Sequence, residues 1–385
     1  MNNYNFPKIF FSAICLVFIV SKVVLAATYY VSPNGNDSYI GSIEKPLKSV
    51  TLALSRVKPG DSLILLDGTY KVVAAKKEAF LSITTGGSEH EPVTIKALNY
   101  GKAIIDGGNT IKYGFLINAS NVTIEGFEIK NFLYFGIFVK QPNVVIKRNI
   151  IHHNGQAPIS HAWGTGGIFY GKEAHDGVID SNMIYLNGRL NLSAKDHYGT
   201  YDHGIYVCAS EIKIYNNLIH DNQAYGLQIA GSYNANRIII SNNTIINQRN
   251  RGGIVLWKKA AKNCVIQNNI IAGNNGAAVK FLKDGGNNIV RNNIFWDNKA
   301  GDFSGAKTHY SAINNINRAP LLDESYKLKK GSPAIGKGTP DLAPPYDLEG
   351  NNRGDNEIDI GCFQDVSFQK LTYPKNLRVI SYTSN

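Results

Sequence analysis

The middle of the chain repeats one short alternation of apolar and polar residues. In each copy, isoleucine, leucine or valine alternates with polar residues around an asparagine, as in Asn143–Ile151 and Asn263–Ile271. The register positions of the copies are Phe127, Asn149, Asn182, Asn217, Asn243, Asn269 and Asn293. They are separated by 22, 33, 35, 26, 26 and 24 residues. Strand-like alternation that recurs every 22–26 residues is typical of a solenoid.

A second short apolar segment follows each copy, and all but one begin with glycine. These segments are Gly136–Val139, Gly167–Tyr170, Gly204–Val207, Gly226–Ile229, Gly253–Leu256 and Ala278–Phe281. One coil cannot bury its apolar face alone, whereas stacked coils close a continuous core and pair every strand with its neighbours. The pattern therefore predicts an all-β solenoid in which the asparagines form ladders. A second predicted ladder contains Asn154, Asn187, Asn222, Asn274 and Asn298.

Both ends of the repeat differ from its middle. Pro46–Val57 has helical apolar spacing and stops at Pro59, which predicts a capping helix over the open N-terminal end. After about Gly301 the repeat fades, and residues through Phe363 are predicted to form a C-terminal cap. The expected division is a leader at 1–26, a capped solenoid at 27–365 and a tail at 366–385.

The N-terminus resembles a secretory signal peptide. Lys8 precedes the apolar segment Ile9–Val20, and Val24–Ala26 offers a cleavage site. The apolar segment is too short to span a bilayer comfortably, and no later segment is long enough. We expect a secreted protein, extracellular or periplasmic, that is cleaved near Ala26 and not stably inserted in a membrane.

Charge narrows the class of partner. The net charge of +11 falls to +9 when Lys8 and Lys22 leave with the leader. The remaining positive charge is scattered along the chain, without the dense lysine and arginine runs typical of nucleic-acid binding. We expect an acidic polysaccharide as the partner, no nucleic acid, and a monomer. The three mature cysteines have no metal-ligand spacing and are predicted to be buried thiols.

The two long repeat intervals locate insertions at about residues 155–166 and 188–202. Insertions on adjacent coils of a rigid solenoid often build a site. Seven of the nine histidines lie between residues 152 and 220, which supports that location. The candidate substrate-binding residues are His153, His161, Trp163, Lys172, His175, His197, Tyr225, Gln228, Trp257 and Lys280.

Alignment of the second segments predicts two outward rows that bring His203 and Tyr206 to the same side. The first row contains Phe138, Phe169, Tyr206, Gln228, Val255 and Lys280, and the second contains Phe135, Gly166, His203, Tyr225, Gly252 and Ala277. Cleavage of a polyuronate by β-elimination needs a cation for the carboxylate, a base and an acid. We predict His203 as the base, Tyr206 as the acid, and Arg251, Lys172 or Lys258 as the cation.

The chain also resembles a known family. Thr28–Asp37, Gly68–Tyr70, Gly331–Ile335 and Asp359–Gly361 are similar to the opening and end of secreted right-handed parallel β-helix proteins, among them pectate lyases of polysaccharide lyase family nine. The resemblance covers nearly the whole mature chain and implies a single-stranded right-handed parallel β-helix.

The same resemblance implies calcium as a cofactor, held by a cluster of aspartates, and a lysine as the base. The sequence shows no such cluster, which counts against calcium. Calcium is kept as a candidate cofactor because of the resemblance alone, with Asp180 and Asp202 as its candidate ligands. Lys258 is the lysine nominated for the family's base.

These observations together predict a secreted polysaccharide lyase that cleaves an acidic, uronate-containing glycan by β-elimination. A uronate C5-epimerase or a glycoside hydrolase on the same fold is the first alternative. The paired aspartates of polygalacturonase-type hydrolases are missing, which counts against hydrolysis. A non-catalytic, glycan-binding or adhesive β-helix protein is the second alternative.

Overall fold

The computed structural model describes most of the mature chain. The described residues are 26–71, 78–158, 164–192, 195–196, 198–230, 235–257, 261–282, 285–354 and 357–365. The predicted leader, apart from Ala26, and the predicted tail at 366–385 lie outside these residues. In the described part of the chain, no helix is long and apolar enough to cross a membrane.

The chain winds into a solenoid whose successive strands contribute in turn to three parallel sheets. Sheet A contains Thr28–Val31, Ser62–Leu65, Val93–Ala97, Val122–Glu125, Val144–Lys147, Val178–Asp180, Lys213–Tyr215, Ile239–Ser241, Val265–Gln267, Asn288–Arg291 and Tyr310–Ile313. Sheet B contains Gly68–Lys71, Ala103–Asp106, Glu128–Lys130, Ile150–His152, Met183–Tyr185, Leu218–His220, Thr244–Ile246, Ile270–Ala272, Ile294–Trp296 and Ile316–Asn317. Sheet C contains Ala79–Ile83, Tyr113–Ile117, Phe135–Val139, Gly166–Tyr170, His203–Val207, Leu227–Ala230, Ile254–Trp257, Val279–Phe281 and Phe303–Ser304. The predicted right-handed parallel β-helix is confirmed.

The structure divides each predicted asparagine-centred strand into two, one in sheet A and one in sheet B. The residue before the ladder asparagine adopts a positive φ, for example 53° at Arg148, 51° at Asn216 and 57° at Asn242. This left-handed conformation turns the chain sharply, and asparagine tolerates it better than most residues. The repeat therefore has three strands per coil, where the alternation alone indicates two.

Both asparagine ladders are present and connect adjacent coils. The Asn243 amide nitrogen donates to the Ile214 carbonyl at 2.9 Å and to Asn269 Oδ1 at 3.0 Å. Its own Oδ1 accepts from the Asn217 backbone at 2.9 Å. In the second ladder, Gln248 occupies the coil that has no asparagine. These bonds satisfy amides that would otherwise be buried without partners, and they hold each coil in register with the next.

The core lies between the three sheets, and isoleucine is its most frequent residue. On sheet C, Ile137, Ile168 and Ile205 pair in register, and each is fully buried. Burying such a side chain stabilises the fold by roughly 1.5–3 kcal/mol. The inward face is therefore reserved for packing, and chemistry is confined to the outer faces and the turns.

A short helix, Val50–Arg56, packs on the first strands of the solenoid, as predicted for an N-terminal cap. Its N-cap is Ser49, whose Oγ accepts from the Leu52 amide at 3.1 Å. Val50, Ala53 and Leu54 face the core. Because all three side chains are buried, the helix covers apolar surface that the first coil would expose.

The segment predicted as a C-terminal cap packs on the side of the solenoid instead. We call the described residues of 320–365 the strap. In two turns, the positive-φ asparagine that precedes the ladder asparagine donates to a strap carbonyl: Asn242 to Asp359 at 3.0 Å, and Asn268 to Thr339 at 2.8 Å. Apolar residues on the outside of sheet B, such as Ile246 and Ile270, pack under the strap. The hydrophobic effect favours covering these apolar outer side chains of sheet B, which explains why the strap lies on the side of the solenoid.

The C-terminal end of the solenoid keeps a hollow of about 300 Å³. Phe295, Phe303 and Ile316 are among the residues that line it. The described part of the strap does not lie among these lining residues. The described strap packs on the solenoid, and its predicted role as an end cap stays a prediction.

Removing one rung of a ladder should destabilise the whole solenoid. We expect Asn243→Ala to lower the free energy of unfolding by about 2–4 kcal/mol, because it leaves buried backbone groups without partners. Chemical denaturation followed by circular dichroism measures this change. The control is Asn34→Ala in an exposed turn, which should shift stability by less than about 0.5 kcal/mol. Equal shifts in the two variants would contradict the ladder's role.

Candidate active site

The outer face of sheet C carries a groove whose side chains stand in rows along the solenoid axis. Register pairing places Phe138, Phe169, Tyr206, Gln228, Val255 and Lys280 in one row. Phe135, Gly166 and His203 begin a second row. Both rows agree with the predicted alignment. Adjacent rungs are about 4.8 Å apart, so neighbouring side chains in a row lie within contact distance.

The N-terminal half of the groove is aromatic. The Phe138 and Phe169 rings stack with centroids 4.7 Å apart, and Phe169 and Tyr206 stack at 5.0 Å. Tyr113 extends this series with a centroid 5.4 Å from Phe138. The series ends at Tyr206, because Gln228 occupies the same position on the next coil. Tyr206 thus marks the boundary between an aromatic half and a polar half of the groove.

His203 lies at this boundary but is buried, with 2% exposure. Its Nδ1 accepts from the Tyr225 backbone amide at 3.3 Å, and its ring hydrogen-bonds the Gln228 side chain. Its ring centroid is 5.7 Å from that of Tyr206 and 5.7 Å from that of Tyr225. The predicted pair of His203 and Tyr206 therefore shares one wall of the groove.

Burial, and secondarily the positive charge of Arg251, lowers the pKa of His203 to about 3. The ring is therefore neutral at physiological pH. Because Nδ1 accepts a hydrogen bond, we assign the ring proton to Nε2, which donates to Gln228. Both nitrogens are then engaged, and the ring must release one bond before it can accept a proton. This geometry favours a positioning role for His203 over the predicted role of base.

A pocket of about 220 Å³ lies on the polar half of the groove, and one of its lining residues is Tyr225, whose ring contacts His203. Its polar lining residues are Tyr225, Asn250, Arg251, Asn275, Lys280 and Ser304. Small residues make room for it. A Cβ at Gly252 would lie 2.0 Å from the Ala277 carbonyl oxygen, so any larger residue there would force the coils apart. Two cations, one phenol and two amides therefore converge on a space with a glycine-lined floor.

Tyr225 contributes a protonated phenol to the pocket. The residue is 6% exposed, and burial raises its pKa while the charge of Arg251 partly opposes that effect. A phenol with a raised pKa keeps its proton across the physiological range. Tyr225 can therefore donate a proton to an oxygen in the pocket.

Asp202 does not point into the groove. It is fully buried and accepts hydrogen bonds from the Arg189 backbone at 3.0 Å, Arg189 Nε at 2.8 Å, Arg189 Nη2 at 2.7 Å and the Thr165 backbone at 3.1 Å. Thr165 ends the first insertion, and Arg189 begins the second. The carboxylate therefore fastens the bases of both insertions, immediately before His203. The predicted metal-ligand role of Asp202 does not fit these contacts.

Asp180 lies elsewhere, on the outer face of sheet A. Its Oδ1 accepts from Ser181 Oγ at 3.0 Å and from Asn216 Nδ2 at 3.1 Å. Burial raises the pKa of this carboxyl group, and these hydrogen bonds partly oppose the shift. Asp180 and Asp202 therefore do not share a site. Among the residues that the structure describes, no three His, Cys, Asp or Glu side chains are grouped to hold a metal ion.

Several predicted substrate-binding residues stand apart from the pocket. His153 lies in the turn after sheet B, and its Nδ1 is 2.7 Å from Nδ1 of His152. Lys172 is exposed and pairs with Glu173 at 3.5 Å. His175 hydrogen-bonds Asp176 at 2.6 Å in the turn that enters sheet A. Trp257 ends its sheet C strand half-buried.

Four other predicted site residues fall outside the described part of the chain, so their roles stay predictions. These are Lys258, His161, Trp163 and His197.

Four polar residues of the site were not predicted from the sequence. Asn250, Asn275 and Ser304 line the pocket, and Arg189 holds Asp202. Asn250 Nδ2 also donates to the Leu192 carbonyl at 3.2 Å, which anchors the second insertion beside the pocket. Asn250 and Asn275 each stand two residues before a member of the row that contains Gly252 and Ala277, so their spacing was a usable signal. Arg189 had no signal, because only folding brings it to Asp202.

Comparison with known proteins agrees with this architecture. Residues 29–187 match the family model described as the Pel9A-like, right-handed β-helix region. Pectate lyase L of Dickeya dadantii is 27% identical over 150 residues, which cover 37% of this chain and 35% of that protein. Pectate lyase PEL9 of Emericella nidulans is 37% identical over 84 residues, 22% of this chain and 19% of that protein. The chain thus matches about a third or less of the length of these relatives.

Solved structures show the same fold at low sequence identity. Pectate lyase Pel9A superposes with a TM-score of 0.65 and 18% identity, covering 88% of this chain and 96% of that one. A glycoside hydrolase superposes with a TM-score of 0.56 and 10% identity, covering 79% and 99% of the two chains. The resemblance to pectate-lyase-like β-helices is confirmed. The family match ends at residue 187, before His203 and the pocket.

The buried neutral state of His203 predicts a stability that depends on pH. Between its folded pKa of about 3 and its ordinary value of 6.5, the unfolded chain binds a proton that the folded chain does not. Stability from this group is therefore lost as pH falls below about 6.5, by up to about 1.4 kcal/mol per pH unit. We expect His203→Gln to reduce the loss of stability between pH 7 and pH 4 by up to about 3 kcal/mol.

Urea denaturation at pH 4, 5.5 and 7 measures this difference. The matched control is His90→Gln, because His90 is exposed and its replacement should leave the loss of stability at its wild-type size. Identical pH dependence in the wild type and His203→Gln would show that His203 is not held neutral by burial.

Proposed function

We propose that this protein is a secreted polysaccharide lyase that cleaves a uronate-containing glycan by β-elimination in the pocket beside His203. The observation that carries the proposal is the convergence of Arg251, Lys280 and Tyr225 on one pocket of about 220 Å³. The scattered positive charge of the mature chain and the pectate lyases among its relatives support the same substrate class. The predicted leader at 1–26 supports secretion.

The first requirement of the reaction is a cation at the sugar carboxylate. The proton on the carbon next to that carboxylate becomes acidic only when the negative charge that develops on the carboxylate oxygens is neutralised. Arg251 suits this role because its planar guanidinium can bind both oxygens of a carboxylate. In the proposed complex, the carboxylate pairs with Arg251 at the mouth of the pocket.

The second requirement is a base. We assign it to Lys280, whose side chain lines the same pocket and follows Gln228 and Val255 along the row. After the Lys280 ammonium gives its own proton to solvent, the amine takes the proton from the carbon next to the carboxylate, and the electron pair left behind forms the new carbon–carbon double bond. This assignment keeps a lysine as the base, as the family resemblance implies, but on a different residue from Lys258.

The third requirement is an acid for the leaving glycosidic oxygen. As the double bond forms, the bond from the adjacent ring carbon to this oxygen breaks, and the Tyr225 phenol donates its proton to the oxygen. The cycle closes when solvent returns a proton to Tyr225 and Lys280 releases the one that it took. His203 holds the Tyr225 backbone through its Nδ1 and so positions the phenol.

Cleavage by elimination yields an unsaturated uronate that absorbs ultraviolet light. We expect this absorbance with at least one polymer in a panel of pectate, alginate and glycosaminoglycans. Lys280→Gln and Arg251→Gln should each lower kcat/KM by at least about 100-fold, since each removes a group from the transition state. The control is Lys213→Gln, which removes an exposed lysine from the outer face of sheet A and should leave kcat/KM unchanged.

Other outcomes of the same panel would replace the proposal. New reducing ends without absorbance would indicate a hydrolase, and an uncut polymer with inverted uronate stereochemistry would indicate an epimerase. Binding with neither change would indicate an adhesive protein. Full activity in Lys280→Gln together with loss of activity in Lys258→Gln would move the base to Lys258.

A further inference from the structure

We infer that the groove on sheet C works without calcium, because the protein's own cations do the work that the family resemblance assigns to the metal. This inference rests on the proposed function, but the calcium titration that tests it does not require the protein to cleave a polymer. It departs from the resemblance, which implies a cluster of aspartates that binds calcium. The family match ends at residue 187, so it does not reach the part of the chain that forms the pocket.

The carboxylate nearest to His203 in the chain is already occupied. Asp202 accepts four hydrogen bonds, three from Arg189 and one from the Thr165 backbone. Asp202 is fully buried and Arg189 is 2% exposed, so the pair is shielded from solvent. Removing one partner from such a pair costs several kcal/mol, because the other charge is left buried alone. A calcium ion would have to displace Arg189 to reach this carboxylate.

The remaining carboxylates are too few and too scattered. Between residues 188 and 304 the sequence contains only Asp196, Asp202, Glu211, Asp221, Asp284, Asp297 and Asp302. Glu211 pairs with Arg237, and Asp221 hydrogen-bonds His220 at 2.7 Å. Asp302 lines the hollow at the C-terminal end, and Asp297 follows a strand of sheet B. Calcium takes six to eight oxygen ligands, of which several are usually carboxylates.

Asp196 and Asp284 are the two other carboxylates between residues 188 and 304. Asp196 is exposed in the second insertion, and Asp284 lies outside the described residues. The other undescribed stretches between residues 159 and 260, at 159–163, 193–194, 197, 231–234 and 258–260, contain no aspartate or glutamate. Two carboxylates do not make the aspartate cluster that the resemblance implies.

The pocket itself carries the wrong charge for a metal ion and the right charge for a uronate. Arg251 and Lys280 both line it, and its other polar lining residues are neutral. The positive charges of Arg251 and Lys280 repel a divalent cation inside the pocket, and the repulsion is stronger where bulk water is excluded. Arg251 and the Lys280 ammonium both attract an approaching carboxylate, and Arg251 can then neutralise it without a bridging metal.

Calcium titration tests the inference directly. The full mature protein is treated with EDTA, exchanged into metal-free buffer and titrated with calcium chloride in a calorimeter. We expect no stoichiometric binding up to about 1 mM, well above the affinity of a typical calcium-sensor site. The midpoint of thermal unfolding should also be the same in EDTA and in calcium.

Asp196→Asn and Asp284→Asn serve as locating variants, because both carboxylates are dispensable if the inference holds. Stoichiometric calcium binding that disappears in either variant would show that one of these carboxylates holds the metal and would overturn the inference. Binding that persists in both variants would place the metal away from the groove, and the inference would stand.

Polymer binding provides the second measurement. We expect polygalacturonate to bind equally well in EDTA and in calcium, and Arg251→Gln to weaken binding at least about tenfold in both buffers. Binding that requires calcium would overturn the inference. If no polymer in the panel is cleaved, the proposed function fails, while the calcium titration still decides whether the groove holds the metal.

Discussion

The hydrogen bonds of the two asparagine ladders are the constraint on which the rest of the structure depends. Each ladder amide bonds to the coil before it and to the coil after it, for example from Asn217 through Asn243 to Asn269. The side-chain period of a strand is two, so a slip of one residue would exchange the buried and exposed faces of a coil. Buried amides that lose their partners make such a slip costly. The ladders therefore hold every coil in one register.

That registration turns a repetitive chain into a chemical surface. Residues far apart in sequence, such as Tyr206, Gln228 and Lys280, stand in one row because their coils are in step. The ion pair between Asp202 and Arg189 then secures the two insertions where they return to sheet C. A rigid floor and a fastened wall reduce the entropy lost when a polymer binds. The same registration places the strap on the apolar outer face of sheet B.

Electrostatics divides the groove into two unlike halves. Stacked rings fill the N-terminal half, whereas Arg251 and Lys280 sit in the C-terminal half with asparagines and glycines around them. His203 at the boundary is kept neutral by burial and by the charge of Arg251. A carboxylate that pairs with Arg251 would weaken that effect, so ligand binding and the protonation of His203 are coupled. The pKa of His203 therefore depends on whether a carboxylate occupies the pocket.

The repeat interval and the strand alternation were sufficient to predict the solenoid, its ladders and the two outward rows. These features follow from local periodicity, since strand geometry and coil stacking act on every repeat alike. The alternation did not predict the third strand of each coil, because that strand depends on positive φ angles at residues such as Arg148. The strap's position and the Asp202–Arg189 pair depended on contacts between distant segments, which no periodicity records. The burial of His203 could not be predicted either, because it depends on how the assembled coils pack around the ring.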